Sequence, residues 1–297
     1  MGMTLTHPDK LLFPAAGLCK RDIVAYYRRI APLALPHCRG RALTLRRYPD
    51  GIEREGFFQK HAPPDLPSGI RRARLPMQGG TITQILADDV ETLAWLANAG
   101  TIELHVALAR ATAPRRPDRI VFDLDPPDEP DGDFAAIQAA ARAVRKLGDE
   151  LGLFSAVQTS GSRGLHVVWP VSAEEDYARV HAFARDCATL LAQRHPDTLT
   201  AAQRKAARQG RVFVDYLRNA YGQTAVAPYS LRALPGAPLA TPLDWREALA
   251  HDMHAQRYHL RNVFRRLGQR DCPWRDLDRH AGALPPAIER LRQLRDA

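Results

Sequence analysis

The chain has 297 residues, of which 45% are apolar and 25% charged. That composition suits a globular protein with a sizeable core and excludes disordered, collagen-like and coiled-coil classes. The formal net charge of +9 points to a polyanionic partner such as nucleic acid.

The charge is unevenly placed, since residues 1–75 hold 14 Lys/Arg against 6 Asp/Glu, a net of +8. Within them, residues 20–35 read as a helix, with Ile23, Tyr26, Tyr27 and Ile30 at helical spacing. Residues 42–46 and 56–59 read as strands, and Arg71, Arg72 and Arg74 as a charged loop. A helix over 88–99 starts at Asp88 or Asp89 as its cap, and a strand follows over 100–105. Strand 119–124 is followed by an Ala-rich helix over 134–151. Strands 155–159 and 165–170 flank a turn containing Gly161 and Gly164. A helix over 174–194, a strand over 211–216, and helices over 254–267 and 285–295 complete the chain. Helices and strands interleave, with hairpin-like joins among them, which predicts an α/β or α+β fold with a mixed, largely antiparallel sheet.

The four cysteines, Cys19, Cys38, Cys187 and Cys272, show no C-x-x-C pairing, which argues against zinc and against a disulfide framework. No segment reaches ~18 uninterrupted apolar residues, and the first residues carry no apolar leader core. A cytoplasmic protein without membrane contact is the expectation.

Three short segments carry the chemistry: Val121-Phe-Asp-Leu-Asp-Pro-Pro127, Thr159-Ser-Gly-Ser-Arg-Gly-Leu-His166 and Val212-Phe-Val-Asp-Tyr216. Asp123 and Asp125 are two apart, so an extended strand puts both carboxylates on one face. Like charges that close repel by roughly 4 kcal/mol at an effective dielectric of about 20. One of them therefore holds a proton, or a cation sits between them. Asp215 ends another apolar strand. Three carboxylates on a sheet suit hard divalent cations, and such a site is what two-metal phosphoryl or nucleotidyl transfer requires. Any one of these aspartates alone would read as a turn or a cap. In Ser160-Gly-Ser-Arg-Gly164, glycines let backbone N–H groups approach a ligand and Arg163 can bind phosphate bidentately. The turn is neither a Walker A loop nor a dinucleotide fingerprint.

The order D-L-D-P, T-S-G-S-R-G-L-H, V-D-Y, then Pro228-Tyr-Ser-Leu-Arg232 resembles the polymerase domain of the bacterial DNA ligase D family, within the archaeo-eukaryotic primase superfamily. The resemblance runs from near Leu5 to about residue 290. It implies a primase-polymerase fold of two closely packed lobes around a catalytic cleft, one resembling an RNA-recognition-motif sheet. On that reading about 1–110 is largely the DNA-binding lobe and about 111–297 largely the catalytic lobe of one domain. It implies template-directed nucleotide transfer to 3′-ends at breaks during non-homologous end joining, with two Mn²⁺ or Mg²⁺ ions on Asp123, Asp125 and Asp215. Ribonucleoside or deoxyribonucleoside triphosphates would be substrates, with ribonucleotides accepted. The nucleotide would meet His105, Ser160, Gly161, Arg163, His166, Arg208 and Arg232.

The DNA side would be Lys10 and Lys20 on a 5′-phosphate, Phe57 and Phe58 stacking on the template beside Lys60, and Arg46 and Arg47 on phosphates. One of the two phenylalanine rings is expected in the core and the other exposed. The implied partners are gapped or overhanging DNA ends carrying a 5′-phosphate, ligase and nuclease modules, and the Ku end-binding protein, at the bacterial nucleoid. Two positions depart from the family pattern: His7 where some relatives have Asn, and Arg218 where Gln is common. The chain has no K-x-D-G ligase motif and no H-x-x-x-H nuclease region, so a polymerase module is expected, either part of a longer ligase or encoded alone. Alternatives from the same residues are a stand-alone primase-like polymerase and a non-catalytic DNA-end binding module. A haloacid-dehalogenase phosphatase also uses D-x-D after a strand, but wants Thr or Val where Pro127 stands.

Overall fold

A computed structural model of the chain describes residues 3–127 and 134–296. In chain order the elements begin with β1 (Leu11–Phe13), β2 (Leu18–Cys19), α1 (Lys20–Cys38), β3 (Leu43–Arg47) and β4 (Phe57–Gln59). Then come β5 (Arg72–Met77), β6 (Gly80–Ile85), α2 (Val90–Asn98), β7 (Thr101–Ala107), β8 (Arg119–Asp125) and α3 (Phe134–Leu151). Next are β9 (Ala156–Thr159), β10 (Leu165–Pro170), α4 (Tyr177–Arg194), β11 (Leu199–Thr200) and β12 (Val212–Asp215). The last are β13 (Thr224–Val226), β14 (Pro242–Leu243), α5 (Trp245–Ala248), α6 (Val263–Leu267) and α7 (Leu284–Asp296).

The contacts divide the chain into two units. The first comprises Met1–Pro114, Thr224–Thr241 and Tyr258–Cys272; the second comprises Arg115–Gln223, Pro242–Arg257 and Pro273–Ala297. Arg232, placed with the catalytic lobe by the sequence boundary near residue 110, thus belongs structurally to the first unit.

The first unit is built on a four-stranded sheet in the order β13-β7-β3-β4, with each pair antiparallel. Leu43 and Leu45 are buried in the core, and Thr44 and Arg46 take the opposite face by alternation, Thr44 buried there as well. Helix α1 starts where the Asp22 carboxylate accepts from the Cys19 N–H at 2.8 Å. Helix α2 is capped by Asp89, whose carboxylate accepts from Thr92 N at 2.7 Å.

Arg72 and Arg74, expected in a charged loop, lie instead on β5, which pairs with β6 as a hairpin. Arg71 stands just before it and pairs with Asp88. The hairpin is held by a small core of its own, Leu75 and Ile82 packing with Ala42 and Leu86.

The second unit is built on a six-stranded sheet in the order β11-β12-β8-β10-β9-β14. All pairs are antiparallel except β11–β12. Helices α3 and α4 pack on it. Trp169 is fully buried there, 4.7 Å from the Phe122 ring and 6.3 Å from Phe183 of α4. Ile120, Phe122 and Leu124 share that helix-covered face, so Val121, Asp123 and Asp125 take the other face by alternation.

The helix expected over 254–267 is only Val263–Leu267. The backbone before it is committed elsewhere: Leu239 N donates to Tyr258 O at 2.9 Å and Leu260 N to Ala237 O at 3.1 Å. Those bonds take up groups that a longer helix would need for its own ladder.

Candidate active site: a carboxylate row and two cationic clusters

The end of β8 lies between β10 and β12. His166 of β10 and Asp215 of β12 are both direct partners of Asp123 in the sheet register. The three side chains therefore form one row on the face that the helices leave, and Asp125 with its partner Phe213 forms the next row. Asp123 and Asp215 are only 9% and 7% exposed. One oxygen from each of Asp123, Asp125 and Asp215 lies within 4.8 Å of the others. Among the described residues this is the cluster with metal-holding geometry. Burial and the neighbouring Asp123 and Asp215 charges push the Asp125 carboxyl up to about 6, against a pull downward from Arg163 and His166. Burial also raises Asp215, although the Leu217 N–H donates to its Oδ1 at 2.7 Å and works the other way.

The crowding of acidic groups that raises Asp125 and Asp215 would be relieved by a cation bound to the cluster. All its donors are hard carboxylate oxygens, so the donor set fits divalent magnesium or manganese and not a soft metal. Beside Asp123 stand His166, whose Nε2 is 3.2 Å from its Oδ1, and the Arg218 guanidinium, whose Nε is 3.8 Å from its Oδ2. Arg208 lies with its guanidinium 4.1 Å over the Phe213 ring, and its charge lowers Asp215.

The turn after β9 is fixed from inside. Ser160 Oγ accepts from Ser162 N at 3.2 Å and from Gly164 N at 3.1 Å, and Ser160 N donates to Gly164 O at 2.9 Å. Gln256 Nε2 donates to Ser162 O at 3.0 Å. Gly161 has a φ of 68°, in the left-handed region where glycine is at ease. A Cβ on Gly164 would lie 1.9 Å from the Leu124 carbonyl oxygen, so only glycine lets the turn approach β8 beside Asp125. The Ser160 oxygen thus spends two acceptor sites on shaping the loop, whereas Arg163 is exposed and points charge toward Asp125.

The first unit gathers a second group of the expected residues. His105 and Glu103 lie on one face of β7, with Arg46 of β3 directly opposite Glu103 and Phe58 of β4 directly opposite Arg46. The Phe58 ring is 6.2 Å from His105, and the Arg46 guanidinium is 5.4 Å over Phe58. Arg47 sits 5.4 Å over Phe57. Arg232 Nε is 3.4 Å from Glu103 Oε2.

Phe57 and Phe58 are 47% and 63% exposed. This corrects the expectation that one ring would enter the core: β4 is an edge strand, and the arginine planes beside the rings replace a core as their packing partners. Lys60 is exposed beyond the strand.

Lys10 and Lys20 are joined through the backbone, Lys20 N donating to Lys10 O at 2.9 Å. Lys10 pairs with Asp50, and Lys20 Nζ donates to Thr6 Oγ1 at 3.3 Å. Burial first, then the Lys10 charge, lowers the Lys20 ammonium. His7, just before this pair, has a φ of 49°.

Two functional candidates were not singled out from sequence. Glu103 could have been, since I-E-L-H places it two residues before His105 on the same strand face. Asn219, fully buried, donates from Nδ2 to Val121 O and accepts from Val121 N at Oδ1, both at 2.8 Å. Nothing local in Tyr-Leu-Arg-Asn announces that role.

The chain is similar to known proteins in sequence and in fold. The family described as the LigD primase-polymerase domain matches residues 19–274. The multifunctional non-homologous end joining DNA repair protein LigD of Mycobacterium tuberculosis is 34% identical over 303 residues, covering 99% of this chain and 39% of its own length. LigD of Pseudomonas aeruginosa is 35% identical over 93% of this chain and 33% of its own length. The bifunctional LigD of Bacillus subtilis is 30% identical over 94% of this chain and 44% of its own length. The chain thus spans well under half the length of these relatives. The solved structure of the polymerase domain of Mycobacterium tuberculosis ligase D in complex with DNA superposes with a TM-score of 0.87 at 33% identity, covering 94% of this chain and 99% of that one. With the carboxylate row, the glycine turn and the mixed antiparallel fold all in place, the chain belongs to the LigD primase-polymerase domain family, nucleotidyltransferases of the archaeo-eukaryotic primase type.

Proposed function

We propose that this chain transfers nucleotides, under template direction, to DNA 3′-ends at breaks and short gaps during non-homologous end joining. The observation that carries the reading is the row His166–Asp123–Asp215 with Asp125 beside it, three carboxylates close enough to share cations. Asp123, Asp125 and Asp215 would hold two divalent ions, Mn²⁺ or Mg²⁺. When bound, such ions supply activation of the attacking hydroxyl and neutralisation of triphosphate charge.

The protein's own groups have separate tasks. Asp125 and Asp215 would take cations as carboxylates, a form that burial disfavours and that the Arg163, Arg208 and Arg218 charges favour. The N–H groups of the 160–164 turn and the Arg163 guanidinium would hold phosphate oxygens. His105 and Arg232 are the first unit's candidates for the nucleotide.

The same unit offers the DNA candidates. Phe57 and Phe58 would stack on template bases, with Arg46, Arg47 and Lys60 on phosphates. Lys10 and Lys20 would take a terminal 5′-phosphate. The relative solved with DNA supports a DNA ligand here. Ligase and nuclease modules and Ku are the proposed partners, and the bacterial cytoplasm at the nucleoid is the proposed location. Among the described residues no helix is long and apolar enough to cross a membrane.

Primer extension on a gapped duplex, with and without Mn²⁺, tests the reading. Asp123→Ala and Asp215→Ala should each abolish extension while leaving DNA affinity within a few-fold. Normal extension by either variant would remove the assignment. Ribonucleotides should be incorporated at least as well as deoxyribonucleotides at equal concentration.

A further inference from the structure

The Glu103 carboxylate is 2% exposed on the face of a sheet that carries the candidate DNA and nucleotide residues. Four groups converge on it. His105 Nε2 lies 3.1 Å from Oε2 and Arg232 Nε 3.4 Å from the same oxygen. Arg46 Nη1 is 3.5 Å from Oε1, and Ala233 N donates to Oε1 at 3.0 Å. Burial alone would raise this carboxyl; His105, Arg232 and the Ala233 N–H together hold it down to about 2. It is therefore charged at every working pH.

We propose that Glu103 is a positioning residue: its buried carboxylate fixes the His105 ring through Nε2 and pairs with the Arg232 guanidinium, so that both side chains meet the nucleotide in one orientation. The proposal rests on the reading above that His105 and Arg232 serve the nucleotide.

Position and chemistry both favour this over a merely structural ion pair. Glu103 and His105 are two residues apart on one strand, so the ring cannot leave the carboxylate without changing its own rotamer. The bond that one imidazole nitrogen makes sets the tautomer and orientation in which the ring is presented, and here Nε2 is engaged by Glu103. The segment bearing Arg232 is pinned independently. Ser230 Oγ accepts from Leu104 N at 2.8 Å, Tyr27 Oη accepts from Leu231 N at 3.2 Å, and Tyr26 Oη donates to Tyr229 O at 2.6 Å. Tyr229 holds a φ of 64°, which a tyrosine does not adopt without such anchors. Its backbone so fixed, Arg232 needs a countercharge only for its side chain. The charged and titratable groups around the pair are Arg46 of β3, Tyr48 just after it, Arg232, and Tyr27 of α1.

The test is Glu103→Gln, which keeps the shape and removes the charge, with Glu103→Asp as the charged companion. NMR titration of the His105 ring nitrogens in the whole purified chain should show its midpoint falling by about one unit or more in Glu103→Gln. The midpoint should be largely restored in Glu103→Asp. Nucleotide KM should rise about tenfold or more in Glu103→Gln, with DNA affinity within twofold.

A folded Glu103→Gln protein with unchanged His105 titration and unchanged KM overturns the proposal. If Glu103→Gln does not fold, a wild-type His105 midpoint at or below the ordinary value of about 6.5 overturns it, and one clearly above supports it. Arg232→Ala is run in parallel. Should its nucleotide KM stay at the wild-type value, the reading of Arg232 as a phosphate ligand falls, and the His105 titration alone decides the role of Glu103.

Discussion

Asp215 faces Asp123 directly across the β12–β8 pair, and the two acidic groups are buried together with no lysine between them in the register. Like charges at such a pair destabilise a sheet. Without a cation the cluster is therefore a local liability, and it should be measurable as one.

The first prediction is a pH dependence of the metal-free protein. Asp125 titrates near 6 in the folded chain, above its ordinary 3.8. The folded state thus keeps the proton over a window where the unfolded chain has lost it. Stability from this group is present below about pH 4, is lost as pH rises toward 6, and stays lost above. The expected penalty is on the order of 1–3 kcal/mol. Melting in EDTA from pH 4.5 to 7.5 should show the wild type losing more than Asp125→Asn, and Mn²⁺ should remove most of the difference at pH 7.5. Parallel curves in EDTA would refute it.

Gly164→Ala should be far worse than Gly161→Ala. The first drives a methyl into the Leu124 carbonyl, a backbone atom that cannot step aside. At Gly161 the φ of 68° puts a Cβ under left-handed strain of about 1–2 kcal/mol. Urea denaturation of both should rank them in that order, and extension should be lost in Gly164→Ala even where it remains folded.

The two exposed phenylalanines offer a separation of stability from binding. Phe57→Ala and Phe58→Ala should each change stability by less than about 0.5 kcal/mol. Affinity for a single-stranded template overhang should fall by about 1–3 kcal/mol per lost stack. Anisotropy with overhanging and blunt duplexes distinguishes this from a general loss of charge, which would weaken both.

Lys10 and Lys20 give the sharpest test of end recognition. A gapped duplex with a 5′-phosphate should bind more tightly than the same duplex with a 5′-hydroxyl. The double variant Lys10→Ala/Lys20→Ala should lose that preference and keep most duplex affinity. Because Lys20 is a buried cation that burial and the Lys10 charge both disfavour, a terminal phosphate has more to offer it than an internal one. Equal affinity for both ends would remove the pocket and leave a general primase-like polymerase.

Sequence pattern disclosed the parts of this molecule whose signals are local. The period-two spacing of Asp123 and Asp125 and the apolar strand before Asp215 led to the carboxylate row. The Ala-rich stretch gave α3 with its observed bounds, Phe134–Leu151. What escaped depends on partners distant in the chain. The β5–β6 hairpin looks like loop because its arginines and Pro76 hide the alternation that seats Leu75 and Ile82 on Ala42. Residues 254–262 have helical composition, but their backbone is claimed by residues 237–239. No window of sequence near residue 232 states that it packs with residues 26 to 104. Glu103 fell between the two kinds: its spacing from His105 was readable, but its arginine partners were not.

Asn219 has a consequence for the site that its distance from the carboxylates conceals. Its side-chain amide bonds the N–H and the C=O of Val121 as a peptide unit of a neighbouring strand would, two residues along β8 from Asp123. Strand β12 ends at Asp215, and this borrowed rung continues its ladder where the main chain has already turned away. A slip of one residue between β12 and β8 would send Asp215 to the helix-covered side. The amide and the Leu217 N–H bond to Asp215 act as a pair of dowels against that slip. Alignment of the acidic row thus resides in an uncharged residue that no reagent or substrate need ever touch.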